Sequence, residues 1–247
     1  MVDQIVGLFG GIPEGFYREK INTPSKSQVY FDTFHKPMIE RVIARNRGKP
    51  INLLCVAPGH GYELDFLKDN QNVNLYGLDI SLKVLSDSTK KRLPDVGLIA
   101  ADVRNSPIKV ESMDAVIAVN AVVYAPEYML KVVYDSLKKD SEAVVNFRDY
   151  NNSYNKAFYK FYLADGGKVY DQIMTFNSQS FTLKVLDYRS CRDEIIRNLD
   201  RQIYFQGKKD IEMVINALGF KIIEHKPFHF KSFANSDNEM DVYLLKK

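Results

Sequence analysis

The sequence predicts an α/β fold: a seven-stranded, mostly parallel sheet with helices on both faces and a mixed α+β insertion after the fifth strand. Three observations predict it. Strand-like runs at 51–56, 74–78, 96–100, 114–119 and 142–147 alternate with helix-like runs at 62–69, 82–92 and 127–138, the rhythm of parallel strands joined by crossover helices. Leu98-Ile99-Ala100-Ala101 and Ala115-Val116-Ile117-Ala118-Val119 are nearly continuous apolar runs, as strands covered on both faces are. The rhythm breaks after Asp149 and resumes with a helix at 208–218 and strands near 220–225 and 240–246.

Each element has a local reason. Residues 1–25 carry Gly7, Gly10, Gly11, Pro13, Gly15 and Pro24, which punctuate regular structure. From 27 to 45, Tyr30, Phe31, Phe34, Met38, Ile39, Val42 and Ile43 recur at helical spacing, and Gly48 and Pro50 stop that helix. The segment 1–46 is therefore expected to lay a helix over the pocket of a single domain spanning 1–247. In the insertion, 151–207, a helix over 152–163 would put Tyr154, Phe158, Phe161 and Tyr162 on one face. A hairpin over 168–176 and 180–188 turns at Asn177-Ser178-Gln179, and a short strand at 202–206 follows.

Composition narrows the class. The chain has 247 residues, 45% hydrophobic and 26% charged, with a formal net charge of +3, so it can build a core and shows no concentrated basic surface for nucleic acid. The two cysteines, Cys55 and Cys191, make no disulfide framework, and a reducing cytoplasm is the expected setting. No apolar run reaches the ~18 residues of a membrane span. Met1 to Gly11 lacks the basic start of a signal peptide. Fifteen Tyr and fifteen Phe are unusual, and many fall outside the predicted sheet.

The stretch Ile51 to Leu64 carries the chemistry. An apolar run leads into Ala57-Pro58-Gly59-His60-Gly61 and then an amphipathic segment, which reads as strand, tight loop and helix. The next apolar run, Val73 to Asp79, ends in an acid placed to hold a nucleoside ribose. A dinucleotide loop would want a third glycine where Leu64 stands, so a pyrophosphate ligand fits poorly.

These residues resemble the class I S-adenosylmethionine-dependent methyltransferases. That family's first motif is a hydrophobic run, an acid, any residue, then G-x-G-x-G, matched here by Leu53 to Gly61 with Cys55 in the acid's place and Ala57 in the first glycine's. Alanine is neutral there only if the position does not need positive φ. The resemblance covers roughly 50–150 and 208–247. It implies S-adenosylmethionine as cofactor and S-adenosylhomocysteine as product, held by Ala57, Gly59, His60 and Gly61 in the loop. It implies Asp79 and Ile80 at the ribose, Asp102 and Val103 at the adenine, and Asn120 beside the transferable methyl.

Arg148, Asp149 and Tyr150 follow the fifth strand, where active-site residues of parallel sheets gather. Methyl transfer needs alignment and water exclusion first, and a base when the acceptor is a hydroxyl or protonated amine. Asp149, His225 and His229 are the candidates, with His35 behind them. Aromatic walls from Tyr17, Tyr30, Phe31, Tyr154 and Phe158, with Arg148 and Tyr150, suit a small, partly apolar or cationic acceptor. The four histidines form no metal-ligand pattern, so no metal is expected. The expected activity is methyl transfer to oxygen or nitrogen of a small molecule, with a second copy of the chain retained as a partner. The alternatives are an RNA or protein methyltransferase and a non-catalytic nucleoside-binding module of the same fold.

Overall fold

The computed structural model describes residues 31–46, 48–59, 61–81, 93–119, 121–122, 125–147, 163–176, 178–192, 201–231 and 237–247. A π turn, Phe31–His35, opens helix α1 (Lys36–Arg45), and β1 (Ile51–Val56), α2 (Tyr62–Leu67), β2 (Val73–Asp79) and β3 (Gly97–Ala100) follow. After a 3-10 turn at Val103–Asn105 come β4 (Met113–Ala118), α3 (Pro126–Ser136) and β5 (Leu137–Phe147). The insertion supplies β6 (Lys168–Phe176), β7 (Gln179–Asp187) and β8 (Arg201–Tyr204). The chain closes with α4 (Lys208–Ala217), β9 (Lys221–Lys231) and β10 (Asp237–Lys246).

Seven strands form one sheet in the order β3-β2-β1-β4-β5-β10-β9. The first five are parallel, while β10 runs antiparallel to both β5 and β9. The predicted seven-stranded, mostly parallel sheet and its insertion are thus present. The predicted helix at 82–92 and most of that at 152–163 lie outside the described residues. Strand β5 begins at Leu137, five residues ahead of the strand-like run at 142–147, and β9 continues past 225 to Lys231.

Alternation along β1 splits the interior in two. Leu54 and Val56 face a core completed by Leu130 and Val133 of α3 and by Ile211, Val214 and Ile215 of α4. Leu53 and Cys55 face the other, completed by Met38, Ile39 and Val42 of α1 and by Leu64 and Leu67 of α2. A strand buried on both faces needs an apolar residue at nearly every position, which is what the runs at 51–56 and 113–118 supply.

Helix α1 runs against the strand direction. Arg45 pairs with Glu142 near the start of β5, and Arg41 pairs with Glu224 of β9, which lies level with Val144 through Leu244. At ~1.5 Å per helical residue and ~3.3 Å per strand residue, six further residues back bring His35 level with the last residues of β5. His35 is fully buried there, and burial lowers its pKa to about 3.

The insertion is a separate three-stranded antiparallel sheet, β6-β7-β8. It docks through Phe176, Phe181 and Leu183 on the core beneath α3 and α4. Phe205 brings the chain back to where the insertion left: its ring meets Phe147, the last residue of β5, edge-on at 5.5 Å. Both ends of the insertion are thus anchored at the carboxyl end of the parallel strands.

Two outcomes are expected. Phe205→Ala removes the anchor and leaves a cavity against Phe147, costing about 3 kcal/mol in urea unfolding. His35 binds a proton when unfolded but not when folded between pH 6.5 and about 3, so stability falls as pH drops through that window. His35→Leu should remove about 2 kcal/mol of that fall between pH 7 and pH 5, read by denaturation at both values.

Candidate cofactor site

The turn from β1 to α2 crosses the carboxyl edge of the sheet with three residues in the left-handed region: Ala57 (φ 52°), Gly59 (φ 53°) and Gly61 (φ 76°). Gly59 is there for its backbone freedom, since a Cβ would meet nothing within 4 Å. The same open space lets a ligand lie against bare backbone. Ala57 does need positive φ, so alanine is not neutral there and carries roughly 1 kcal/mol of strain.

Neighbouring β2 holds this loop. Ala57 N–H donates to the Leu78 carbonyl at 2.7 Å, and Gly59 N–H donates to Asp79 Oδ2 at 3.0 Å. The other oxygen, Asp79 Oδ1, accepts from Ser81 N–H at 2.9 Å, so one nearly buried carboxylate ties the loop to the tip of β2. Gly77 explains how the loop lies so close without the third glycine. A Cβ on Gly77 would stand 3.2 Å from Leu64 Cδ1 and 3.3 Å from Pro58 Cγ. The missing side chain is on the strand rather than on the helix.

Strand β3 adds the second acid. Ala101 N–H donates to the Asp79 carbonyl at 2.9 Å, which sets Asp102 beside the tip of β2. Asp102 accepts from the Arg104 backbone N–H at 2.9 Å, capping the 3-10 turn, and from Arg104 Nε at 2.8 Å. The Arg104 guanidinium holds this carboxyl below the usual carboxylate range. Val103 and Ile80 are half-buried on either side of the gap between the two strand tips.

The structure therefore brings together Ala57, Gly59, Gly61, Asp79, Ile80, Asp102 and Val103. His60 and Asn120 lie outside the described residues, as do Tyr17, Tyr30, Arg148, Asp149, Tyr150, Tyr154 and Phe158. Phe31 starts the π turn ahead of α1, at the same end of the sheet as His35. His229 sits on β9 opposite Glu239. His225 is placed apart from the loop: its Nε2 meets Asp241, and its ring stacks on Tyr243 at 4.6 Å. Strand β9 is the far edge of the sheet, three strand spacings or roughly 14 Å from β4.

Two residues of the site were not singled out from the sequence. Arg104 could have been found from its position two residues after Asp102. Glu63 stands four residues before the core residue Leu67, an odd place for an acid on an amphipathic helix. It is half-buried, and burial pushes its pKa up to about 7. Cys55 is buried and unoxidised, its thiol pushed up by burial and then by Glu63 and Asp79.

Ala57→Gly should relieve the strained φ and raise stability by about 1 kcal/mol, read as a higher urea midpoint with unchanged slope.

Comparison with known proteins agrees with this geometry. Residues 54–145 match the family model described as a methyltransferase domain. A Methanosarcina mazei S-adenosylmethionine-dependent methyltransferase structure superposes with a TM-score of 0.59 at 13% identity, covering 81% of this chain and 93% of its own. A Thermotoga maritima S-adenosylmethionine-dependent methyltransferase, described as a possible histamine N-methyltransferase, gives 0.56 at 16% identity over 98% and 99%. A Haloferax volcanii methyltransferase, solved with the Trm112 methyltransferase activator, gives 0.56 at 13% over 87% and 90%. No curated protein matches the chain. By its sheet the chain has the class I methyltransferase fold, and residues 54–145 within it match a methyltransferase domain.

Proposed function

We propose that the chain transfers a methyl group from S-adenosylmethionine to oxygen or nitrogen of a small-molecule acceptor. The observation that carries this reading is the carboxylate-braced loop, in which Asp79 holds Gly59 next to a second acid at the neighbouring strand tip. The residues fit the cofactor. On this reading the open backbone at Gly59 would take the amino-acid tail, Asp79 the ribose diol, and Asp102 and Val103 the adenine. Arg104 would have to share the Asp102 carboxylate with the base's amino group.

Bound S-adenosylmethionine supplies an activated methyl on a good leaving group. The chain's task is then to align the acceptor in line and exclude water. The insertion, anchored by Phe205 on Phe147, and the π turn ahead of α1 stand at the two sides of the carboxyl edge and are the parts placed to do this. For an acceptor that must lose a proton we assign the base to Asp149, which follows β5, or to His229 near the end of β9. His225 is better read as a clamp of the sheet edge, because Asp241 and Tyr243 already hold its ring. The aromatic residues Tyr17, Tyr30, Phe31, Tyr154 and Phe158, with Arg148 and Tyr150, are proposed to select the acceptor. A neighbour described as a possible histamine N-methyltransferase supports a small, cationic or aromatic class.

The test is label transfer from methyl-labelled S-adenosylmethionine into a fractionated cell extract. Label should enter the small-molecule fraction and survive protease and nuclease treatment. Label confined to RNA or protein would contradict the reading.

A further inference from the structure

Asp102 carries a full set of donors from its own chain. Its Oδ1 accepts from the Arg104 backbone N–H at 2.9 Å and from Arg104 Nε at 3.0 Å. Its Oδ2 accepts from the same Nε at 2.8 Å and from Arg104 Nη2. A carboxylate offers about four lone pairs, two on each oxygen, so each oxygen here is occupied twice. All of these donors belong to one residue, and they differ in kind. The backbone N–H is part of the 3-10 turn: it caps Val103–Asn105, and Asn105 N–H closes the same turn on the Asp102 carbonyl at 2.9 Å. The guanidinium is not part of the turn. The Arg104 side chain is 45% exposed, against 15% for Asp102, and among the described residues Asp102 is its one ion-pair partner. The guanidinium can therefore swing out into water while the backbone cap keeps the carboxyl in place.

We propose that Arg104 is a specificity-determining residue of the cofactor site: its guanidinium competes with the amino group of the adenine for Asp102, and the base binds by displacing it. The inference rests on the cofactor reading above. An adenine amino group is a donor, as the guanidinium is, so both seek the same acceptor. With both carboxylate oxygens filled, the amino group gains its bond only as a guanidinium N–H gives one up. The exchange replaces a charge-assisted contact by a neutral donor, and the released guanidinium is solvated. An exposed ion pair contributes little, so the competition is modest, about fivefold in affinity, and does not shut the site. A purine with a carbonyl oxygen at that position meets a different situation. It cannot donate to Asp102 from there, and the fork of Arg104 is a donor from which it can accept. The pair therefore lowers the preference for a 6-amino over a 6-oxo purine. Cofactor and product carry the same base, so the competition acts on both.

Calorimetry with two ligands tests this on the whole chain. S-adenosylhomocysteine carries the adenine amino group, whereas S-inosylhomocysteine has a carbonyl oxygen in its place. Arg104→Met removes the fork and keeps a stem of similar length, so packing along the stem is retained. It should tighten S-adenosylhomocysteine about fivefold and leave S-inosylhomocysteine no tighter. Equal tightening of both ligands, or no tightening of S-adenosylhomocysteine, would overturn the role of Arg104. If the variant does not fold, the wild-type chain decides. Salt screens an exposed ion pair, so the S-adenosylhomocysteine to S-inosylhomocysteine affinity ratio must rise between about 0.05 M and about 0.5 M salt, and a flat or falling ratio overturns the proposal. A folded wild-type chain that binds neither ligand would remove the cofactor reading itself, and the proposal with it.

Discussion

A single buried carboxylate sets the geometry on which the site depends. The turn after β1 has to present bare backbone at the carboxyl edge of the sheet, and it does so with three residues at positive φ within five positions. Within the turn, Gly61 N–H donates to the Pro58 carbonyl at 2.9 Å. Asp79 holds the turn from the next strand by accepting the Gly59 N–H, while Ala57 N–H extends the β1–β2 ladder by one bond past Val56. A hydrogen bond to a nearly buried carboxylate is among the stronger ones available to a backbone N–H. Because Asp79 also accepts from Ser81, the loop and the β2 tip cannot move independently. On the proposed reading the same carboxylate would also take the ribose, so loop order and ligand recognition would use one group.

Packing supports this edge from both sides. One face of the sheet is closed by α1 and α2, the other by α3, α4 and the insertion sheet. Among the described residues the cores meet through the strands, where Leu53 and Leu54 point to opposite sides. Each core also delivers something to the carboxyl edge. On one face α1 brings the π turn and His35 level with the end of β5. On the other, Phe147, Phe205 and Tyr243 form an edge-on aromatic cluster that fixes where the insertion leaves and returns. The π turn and the insertion therefore attach to well-packed parts of the fold, which suits the proposed methyl transfer, since its rate would come mainly from alignment.

The fold was legible because the apolar runs are long and their spacing regular. Strand β1 was read at its observed bounds, and β2, β4 and β7 within a residue or so. The acids Asp79 and Asp102 were legible because strand-end acids stand out against apolar runs. What could not be read depends on contacts distant in sequence. Nothing local says that Gly77 provides the clearance a third glycine would otherwise give. Nothing local says that Ala57 is forced to φ 52°, since that follows from its bond to Leu78. The pairing of His225 with Asp241 joins residues sixteen apart across a strand register, and histidine count alone could not show that its ring was already engaged. Glu63 does not stand out because a short amphipathic helix tolerates acids, and only the packing shows that it is half-buried.

The central claim is that the Asp79-braced loop is the cofactor site. Calorimetric titration of S-adenosylhomocysteine into the wild-type chain and into Asp79→Asn tests it most directly. The account predicts one-site binding to the wild type and a loss of at least tenfold in the variant, with the far-ultraviolet spectrum unchanged. Equal affinity for both proteins, each folded, would contradict it.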